Sequence, residues 1–406
     1  MKIGVIREGK NPPDKRSPFP PASLKEIQHT FPTLSVCVAS SSSRCYSDAE
    51  YSALGIEVVE DISVADVLFG VKEVPVTELI PGKTYFFFSH TMKKQPRNKA
   101  LLQSVLANSI RLIDYEALKN EAGERVVAFG RWAGIVGAYN AFWTYGQKTG
   151  LFGLRRAVEC RDLEELKVEL SKVALPPIKI VVTGTGRVGK GALEVLAMLG
   201  IPQVSPADFL EKDPETAVFV CLSSADYSRR ISDGGYSQAD FYAHPEAYES
   251  NFLKFAQAGE ILIAAAYWDP NAPRLFELED LRSPAFSLSV IADITCDIDG
   301  SIPTTRRAST ILAPVYDVDR MTAEELPPFG KQDSISVMAI DNLPCELPRE
   351  ASAEFARQLR QWVVPALEKE HSPILEKATL ARDGDLTLEY MYLKEYVTKE
   401  NSPNHA

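Results

Sequence analysis

The sequence lacks the usual marks of a metal-binding, secreted or membrane-spanning protein. Its six cysteines are scattered, with no pair at CxxC spacing, so no metal centre is predicted. This pattern favours reduced thiols in a cytoplasmic protein, although Cys37 and Cys45 could pair. No apolar run is long enough to cross a bilayer, and residues 2–6 are typical of a first strand rather than a signal peptide. A membrane partner is therefore not expected.

The chain also lacks an excess of positive charge. Its net charge of −11 argues against nucleic acid as a partner, because binding to phosphate needs a basic face. An acidic protein can still bind a small anion through a few buried cations. The 406 residues exceed one ordinary core, so two domains are expected. Oligomeric state is left open between a monomer and a small homo-oligomer.

The first part of the chain alternates short apolar runs with helical stretches. Strands are predicted at residues 3–6, 35–39, 67–71, 85–88 and 111–114, and helices at residues 20–30, 48–54 and 94–108. Such alternation is typical of a doubly wound α/β sheet with parallel strands.

A second α/β unit is predicted further along the chain. Small residues within 132–149 indicate a long helix packed closely on a neighbour, and Pro176-Pro177 ends a charged helix at residues 162–174. Residues 224–251 are interpreted as an insertion, and the tail over 349–397 as two helices that pack back on the first domain. Further strands and one helix are predicted at residues 178–182, 203–204, 218–222, 261–265 and 290–293, and at residues 190–199.

A glycine-rich turn, Gly184-Thr185-Gly186-Arg187-Val188-Gly189, connects the strand at 178–182 to its helix. A strand, then G-x-G-x-x-G, then a helix is the context in which a dinucleotide diphosphate binds. A loop without a ligand is the plain alternative. A Walker A loop is disfavoured, because Gly191 stands where Ser or Thr should hold magnesium. The GKT at residues 82–84 lacks its first glycine, since Thr77 takes that place.

The choice of coenzyme depends on the next strand, where an acid usually binds the ribose 2′-hydroxyl. Here Gln203-Val204 is followed by Ser205, which leaves room for a 2′-phosphate that Arg187 could bind. Asp208 could still reach a 2′-hydroxyl. The cofactor is predicted to be NAD(P), with NADP favoured.

Two groups suited to proton transfer follow strands of the first domain. Lys72 and Glu73 follow one strand, and His90 follows the next. Ligands of doubly wound sheets bind beyond the carboxyl ends of strands, where a lysine and a histidine can act as acid and base. From the residues alone, Lys72 could equally be a solvated surface lysine and His90 a helix cap.

Three cations and two acids complete the candidate site. Arg16, Lys93 and Arg125 are candidates to bind substrate carboxylates, although surface cations are common. Asp293 and Asp297 follow a strand near the glycine turn and could close a cleft from the cofactor side. Ordinary loop capping is the alternative for both acids.

With these residues in view, the chain resembles the lysine-forming saccharopine dehydrogenases, a branch of the alanine dehydrogenase and transhydrogenase group. The resemblance includes the lysine–2-oxoglutarate reductase half of the bifunctional lysine-degrading enzyme and covers nearly the whole chain. The stretches that carry it are GVK at residues 70–72, FFSHTMK at 87–93, IRLIDYE at 110–116, RVVAFGRWAG at 125–134, TGTGRVGKGA at 183–192, residues 296–302 and IDNLPCELPREAS at 340–352.

The resemblance implies two Rossmann-like domains with an active-site cleft between them. The substrate domain is expected over residues 1–130 plus 325–406, and the dinucleotide-binding domain over 131–324. The family's catalytic lysine and histidine fall on Lys72 and His90, and its accompanying acids on Glu73 and Glu116. Its substrate carboxylate binders fall on Arg16, Lys93 and Arg125. Glu73 departs from the reductase half and agrees with the fungal type.

The implied reaction interconverts saccharopine with lysine and 2-oxoglutarate by hydride transfer to the linking imine. Two alternatives remain. An alanine dehydrogenase-like enzyme would use the same lysine and histidine on a smaller imine. A catalytically silent binding protein could keep the fold, although the retained Lys72 and His90 argue against it.

Overall fold

A computed structural model describes residues 1–9 and 14–398. The chain divides into two compact units, which we call unit 1 (Met1–Ala128 with Pro348–Ala406) and unit 2 (Phe129–Leu347). The first boundary lies close to the predicted residue 130. The second lies at Leu347 rather than at residue 324, because residues 325–347 contribute strands to the sheet of unit 2.

The strands alternate with helices along most of the chain. In chain order the strands are β1 (Lys2–Val5), β2 (Ser35–Ala39), β3 (Glu57–Val59), β4 (Val67–Phe69), β5 (Thr84–Phe87), β6 (Arg111–Asp114), β7 (Lys179–Thr183), β8 (Val218–Leu222), β9 (Ser228–Arg230), β10 (Tyr248–Ser250), β11 (Ile261–Ala264), β12 (Val290–Asp293), β13 (Val315–Asp319), β14 (Glu325–Leu326), β15 (Ser334–Met338), β16 (Thr379–Arg382) and β17 (Asp385–Leu386). The α-helices are α1 (Pro21–Thr30), α2 (Asp48–Ala53), α3 (Lys99–Ala107), α4 (Gly130–Thr149), α5 (Leu163–Leu170), α6 (Arg187–Met198), α7 (Pro206–Glu211), α8 (Ser224–Tyr227), α9 (Gln238–Ala243), α10 (Leu253–Ala258), α11 (Pro348–Trp362), α12 (Val364–Leu367), α13 (Pro373–Ala378) and α14 (Lys394–Thr398).

Unit 1 is built on an eight-stranded sheet in the order β17-β16-β6-β5-β4-β1-β2-β3. Strands β1 to β6 run parallel, as the alternation of strands and helices predicts. The apolar residues of β1, β2, β4, β5 and β6 are buried on both faces, which is the usual state of a parallel strand covered by helices, whereas those of the edge strand β3 are partly buried. All five strands predicted in this part are present, and β3 is an additional one.

Unit 2 contains a seven-stranded sheet in the order β14-β13-β15-β12-β11-β7-β8. Five of these strands are parallel, and β13 and β14 add an antiparallel edge. The predicted insertion at residues 224–251 forms its own small sheet from β9 and β10. The mixed, mainly parallel sheets of the two units confirm the predicted α/β class.

The carboxyl-terminal tail differs from the two helices that the sequence predicts. Helix α11 is present, but residues 379–386 form a hairpin whose strand β16 pairs antiparallel with β6. Asp383 and Gly384 at its tip have φ angles of 54° and 87°. An Asp-Gly pair suits a two-residue hairpin turn, since both of its central residues need positive φ. The tail packs on unit 1 as expected, for example through Arg349 Nη2 and Glu50 Oε1 at 2.7 Å.

Three further findings concern the protein class. Within residues 1–9 and 14–398, none of the helices has the length and apolar character needed to span a bilayer. The same residues contain no group of three or more His, Cys, Asp or Glu side chains arranged to hold a metal ion. Cys37 is buried on β2 as a free thiol, so the pairing with Cys45 does not occur.

The long helix α4 packs directly against α6, the helix that follows the glycine turn. A Cβ atom on Gly134 would lie 1.9 Å from the carbonyl oxygen of Val188, and one on Gly191 would lie 2.1 Å from that of Arg131. The two helix backbones therefore touch, and only glycine fits at these positions. Gly191, which speaks against a Walker A loop, has this packing role instead.

We expect Gly134→Ala to lower the free energy of unfolding by about 1–3 kcal/mol, because its methyl group must displace a backbone carbonyl. Gly130→Ala on the same helix is the control, since its nearest neighbour is a side-chain atom, Val188 Cγ2, at 3.3 Å rather than a backbone carbonyl. Urea unfolding of both variants measures the difference. Equal midpoints for Gly134→Ala and the wild type would contradict the close helix contact.

Candidate functional site

The glycine turn lies where the chain changes direction in the sheet of unit 2. Strand β7 has β8 on one side and β11 on the other, and the turn joins β7 to α6. In open α/β sheets ligands bind at such a switch point, beyond the carboxyl ends of the strands. Arg187 and Val188 open α6, and the Arg187 side chain is exposed.

The three glycines of the turn are needed for different reasons. Gly184 has φ of 96°, and its Cβ would lie 2.7 Å from the carbonyl of Ala265. A Cβ on Gly189 would lie 1.9 Å from the oxygen of Gly184, so the start of α6 packs against the turn. Around Gly186 there is open space within 4 Å of the Cβ position. The fold requires the first and third glycines, whereas the second leaves backbone accessible to a ligand, as a bound diphosphate needs.

Ser205 and Asp208 do not lie where their proposed role requires. Strand β8 pairs with β7, whereas Gln203 only bridges to Phe219 of β8 and so lies one strand further out. Ser205 caps α7 by accepting from the amide of Asp208, and Asp208 pairs with Lys212 at 2.6 Å. The sequence predicts a short second strand at residues 203–204, whereas in the structure Gln203 makes only an isolated bridge to β8 and does not lie beside β7. Residues after Leu222 occupy that position instead.

Asp293 is a buried cap for the loop after β12. Its carboxylate accepts hydrogen bonds from Thr295 N and Oγ1, Cys296 N and Thr305 Oγ1, at 2.6–3.2 Å. Burial raises the pKa of this carboxyl group. The loop-capping alternative therefore accounts for the hydrogen bonds of Asp293. Asp297 is exposed in the same loop.

In unit 1 the candidate catalytic residues follow neighbouring parallel strands. Lys72 and Glu73 follow β4, His90 follows β5, and Glu116 follows β6. Because β6, β5, β4 and β1 are adjacent, their carboxyl ends share one edge of the sheet. The sheet reverses its order between β4 and β1, which is the expected ligand position.

His90 is held in an unusual backbone conformation by its neighbours. Its φ angle of 51° is uncommon for a residue other than glycine, and such strain is concentrated at functional sites. Its Nδ1 lies 2.7 Å from Glu73 Oε1, and its ring stacks on Phe88 with centroids 6.3 Å apart. A carboxylate at Nδ1 fixes the proton on that nitrogen, so Nε2 is left for proton exchange. Sequence reasoning did not anticipate this contact between Glu73 and His90.

A buried aspartate fixes the loop that carries His90. Asp114 accepts hydrogen bonds from the amide of Ser89 at 3.0 Å, from the Ser89 hydroxyl, and from the amide of Glu116 at 2.7 Å. The Ser89 hydroxyl lies 2.7 Å from that of Thr91. Burial raises the pKa of Asp114 to about 6, while these hydrogen bonds oppose the rise. Sequence reasoning missed this role, although an aspartate ending an apolar strand is a visible signal.

The three predicted substrate-binding cations lie in different surroundings. Arg125 Nη1 lies 3.9 Å from Glu116 Oε1, and its guanidinium carbon lies 5.9 Å from the centroid of the Phe88 ring. Because Phe88 stacks on His90, Arg125 is near the His90 ring. Arg16 is buried, and its Nε and Nη2 atoms contact Asp14 at 2.9 and 2.6 Å. Asp14 thus orients one edge of this guanidinium. Lys93 is exposed in the loop that follows His90.

Comparison with known families identifies the class of protein. The model described as alanine dehydrogenase/PNT, N-terminal domain, matches residues 4–136, and the corresponding C-terminal domain matches residues 161–389. The chain belongs to the alanine dehydrogenase/PNT family, which confirms the resemblance noted in the sequence.

Named relatives narrow the comparison within that family. The chain is 32% identical to bovine "Alpha-aminoadipic semialdehyde synthase, mitochondrial", over 97% of this chain but 47% of that protein. It is 28% identical to the Arabidopsis thaliana synthase over 42% of that protein, so it spans about half the length of these relatives. It is also 27% identical to "Saccharopine dehydrogenase [NAD(+), L-lysine-forming]" of Emericella nidulans, over 92% of this chain and 94% of that enzyme.

Solved structures confirm the fold. An L-alanine dehydrogenase matches 98% of this chain with a TM-score of 0.65 at 17% identity. A transhydrogenase from Sinorhizobium meliloti matches 95% with a TM-score of 0.61 at 15% identity. At these identities the likeness concerns the fold alone.

Gly186→Ala tests whether the glycine turn binds a dinucleotide. The added methyl group meets no protein atom within 4 Å, so the melting temperature should stay within about 2 °C of the wild type. It should raise the Kd of NADPH about tenfold or more, because it occupies space that the diphosphate needs.

Gly153→Ala is the control, since its Cβ position is equally open but lies away from the turn. Fluorescence titration of both variants gives the Kd values. Unchanged binding in Gly186→Ala would indicate a glycine turn without a ligand.

Proposed function

We propose that this chain is a nicotinamide-dependent oxidoreductase, specifically a lysine-forming saccharopine dehydrogenase, or lysine–2-oxoglutarate reductase. The observation that carries the proposal is the set of Lys72 and the His90–Glu73 pair at the ends of adjacent strands. It is supported by the end-to-end match with fungal enzymes of that name. The glycine turn fits the nicotinamide cofactor, which supplies hydride to the imine carbon of the bound substrate.

In the proposed reaction the side-chain amine of lysine attacks the ketone of 2-oxoglutarate. The resulting carbinolamine loses water to give the imine, so a proton must leave nitrogen and another must reach the departing hydroxyl. Lys72 and His90 exchange these protons. Glu73 supports the positive charge that forms on His90, because its carboxylate lies 2.7 Å from Nδ1.

The substrate carries several carboxylates, which call for cations. Arg125 lies beside Phe88 and therefore near the His90 ring, where it can bind one carboxylate. Arg16, whose guanidinium is oriented by Asp14, is proposed to bind a second carboxylate. Lys93 is proposed as a further, exposed partner.

An alanine dehydrogenase-like amino-acid dehydrogenase is the second candidate. The observation in its favour is the match to the N-terminal and C-terminal domain models of the alanine dehydrogenase/PNT family. Its smaller imine would be formed from ammonia and pyruvate, with the same lysine and histidine exchanging protons.

Steady-state oxidation of NADPH or NADH distinguishes the two candidates. We expect turnover with lysine plus 2-oxoglutarate to exceed that with ammonia plus pyruvate, and the reverse would favour the second candidate. Lys72→Met and His90→Gln should each lower kcat about 100-fold or more, because each removes a proton-transfer group. Lys25→Met and His29→Gln on α1 are matched controls, since both residues are exposed on that helix.

We also propose that NADP is the preferred coenzyme. The strand beside β7 is β8, and Ser223 and Ser224 follow it where an acid would bind a ribose 2′-hydroxyl. Ser224 Oγ lies 2.6 Å from the hydroxyl of Tyr236, so two hydroxyl groups are available there. The adjacent Asp226 bonds to the amide and hydroxyl of Ser223.

Ser224→Asp should shift preference toward NADH. A carboxylate accepts from a 2′-hydroxyl and repels a 2′-phosphate, so kcat/KM for NADPH should fall about tenfold or more relative to NADH. An acid in the first turn of α8 is compatible with the helix. Ser237→Asp before α9 controls for added charge, and a ratio unchanged by Ser224→Asp would contradict this position for the ribose.

A further inference from the structure

Glu8 lies just beyond β1 and binds the backbone that leads into Lys72. Its two carboxylate oxygens accept one hydrogen bond each, from Val71 N at 2.6 Å and from Lys72 N at 2.9 Å. Strands β1 and β4 are neighbours, and their pairing continues through Ile6 N and Phe69 O at 3.0 Å. The carboxylate thus closes the sheet edge between the two strands after their regular pairing ends.

Close packing leaves this carboxylate little freedom. A Cβ on Gly70 would lie 2.7 Å from Ile6 Cδ1 and 3.5 Å from Glu8 Oε1. A Cβ on Gly9 would lie 2.7 Å from Pro75 Cγ. Glycine on both chain segments therefore allows the segment after β1 to lie directly against the segment after β4.

We propose that Glu8 is a positioning residue of the reaction, holding the backbone from which Lys72 and Glu73 project. Because Glu73 contacts His90, this one carboxylate sets the placement of both proton-transfer groups. The inference rests on the proposed function, in which Lys72 and His90 exchange protons. A displacement of about 1 Å in such groups can cost about 100-fold in rate.

The electrostatic surroundings make the strength of the hydrogen bonds between Glu8 and the two amides dependent on pH. Burial raises the pKa of Glu8 to about 8, Asp14 adds to the rise, and the two amides and Arg16 oppose it. The charge of Glu8 contributes to the raised pKa of Tyr115, which follows β6. The ionisable groups that act electrostatically with Glu8 are therefore Asp14, Arg16 and Tyr115. The ionised carboxylate accepts hydrogen bonds from both amides most strongly. These two hydrogen bonds therefore strengthen as pH rises through 8 and weaken below it.

Glu8→Gln tests the proposal, because the amide keeps the shape but turns an NH₂ group toward a backbone N–H. We expect kcat with lysine and 2-oxoglutarate at pH 9 to fall about 100-fold, while the Kd of the nicotinamide cofactor stays within about twofold. The ratio of wild-type to variant kcat should shrink toward pH 7, and this ratio cancels ionisations that both proteins share. Glu78→Gln is the control, since Glu78 is an exposed acid close to Gly9.

A purely structural role would lower the melting temperature and reduce kcat equally at every pH, and that result would overturn the proposal. If Glu8→Gln does not fold, a measurement on the wild-type protein still tests the proposal. The backbone amide resonances of Val71 and Lys72 should titrate with an inflection near pH 8, and amides that do not titrate would also overturn it.

The two proposals fail in different ways. An inactive wild type overturns the proposed function, while the amide titration still decides whether Glu8 holds this backbone. An active wild type matched by Glu8→Gln at pH 9 overturns the role of Glu8 and leaves the proposed function standing.

Discussion

The parallel pairing of β6, β5, β4 and β1 is the constraint on which the candidate catalytic residues depend. Parallel strands end at the same edge of a sheet. Residues far apart in the chain are therefore brought to that edge by the strand pairing and not by contacts between their own side chains. Lys72, His90 and Glu116 are each placed by the strand that precedes them. The pairing therefore determines which residues meet, and local interactions determine how each one points.

Buried and partly buried carboxylates supply most of those local interactions. Asp114 and Glu8 accept main-chain hydrogen bonds from the loops after neighbouring strands, and Glu73 accepts from a side chain. A buried charge is costly unless it is hydrogen-bonded, and each of these groups has such a bond. The raised pKa values of Asp114 and Glu8 reflect the remaining cost. Main-chain groups without a strand partner thus find acceptors, and the loops gain one defined conformation.

Much of the architecture could be predicted from the sequence because it follows from short-range patterns. The apolar runs of β1, β7 and β11 and the spacing of Gly184, Gly186 and Gly189 are visible without any tertiary information. The hairpin at Asp383-Gly384 also has a local signal, because an Asp-Gly pair suits a two-residue turn. That Ser205 does not lie beside the glycine turn could not be predicted, for a different reason. Strand order is a tertiary property, and nothing in residues 203–204 reveals that β8 pairs with β7 instead.

The difference between local patterns and tertiary contacts also explains which site residues could be found from the sequence. Lys72 and His90 carry chemistry in their own side chains, so they are conspicuous in a motif. Glu8 and Asp114 accept hydrogen bonds from backbone amides that follow other strands, and the sequence does not show which amides those are. Gly70 illustrates the point, because its lack of a side chain is explained only by Ile6 and Glu8 on the neighbouring segment. In a parallel sheet, the residues that position a site are therefore contributed by strands adjacent in space, which the order of the chain does not reveal.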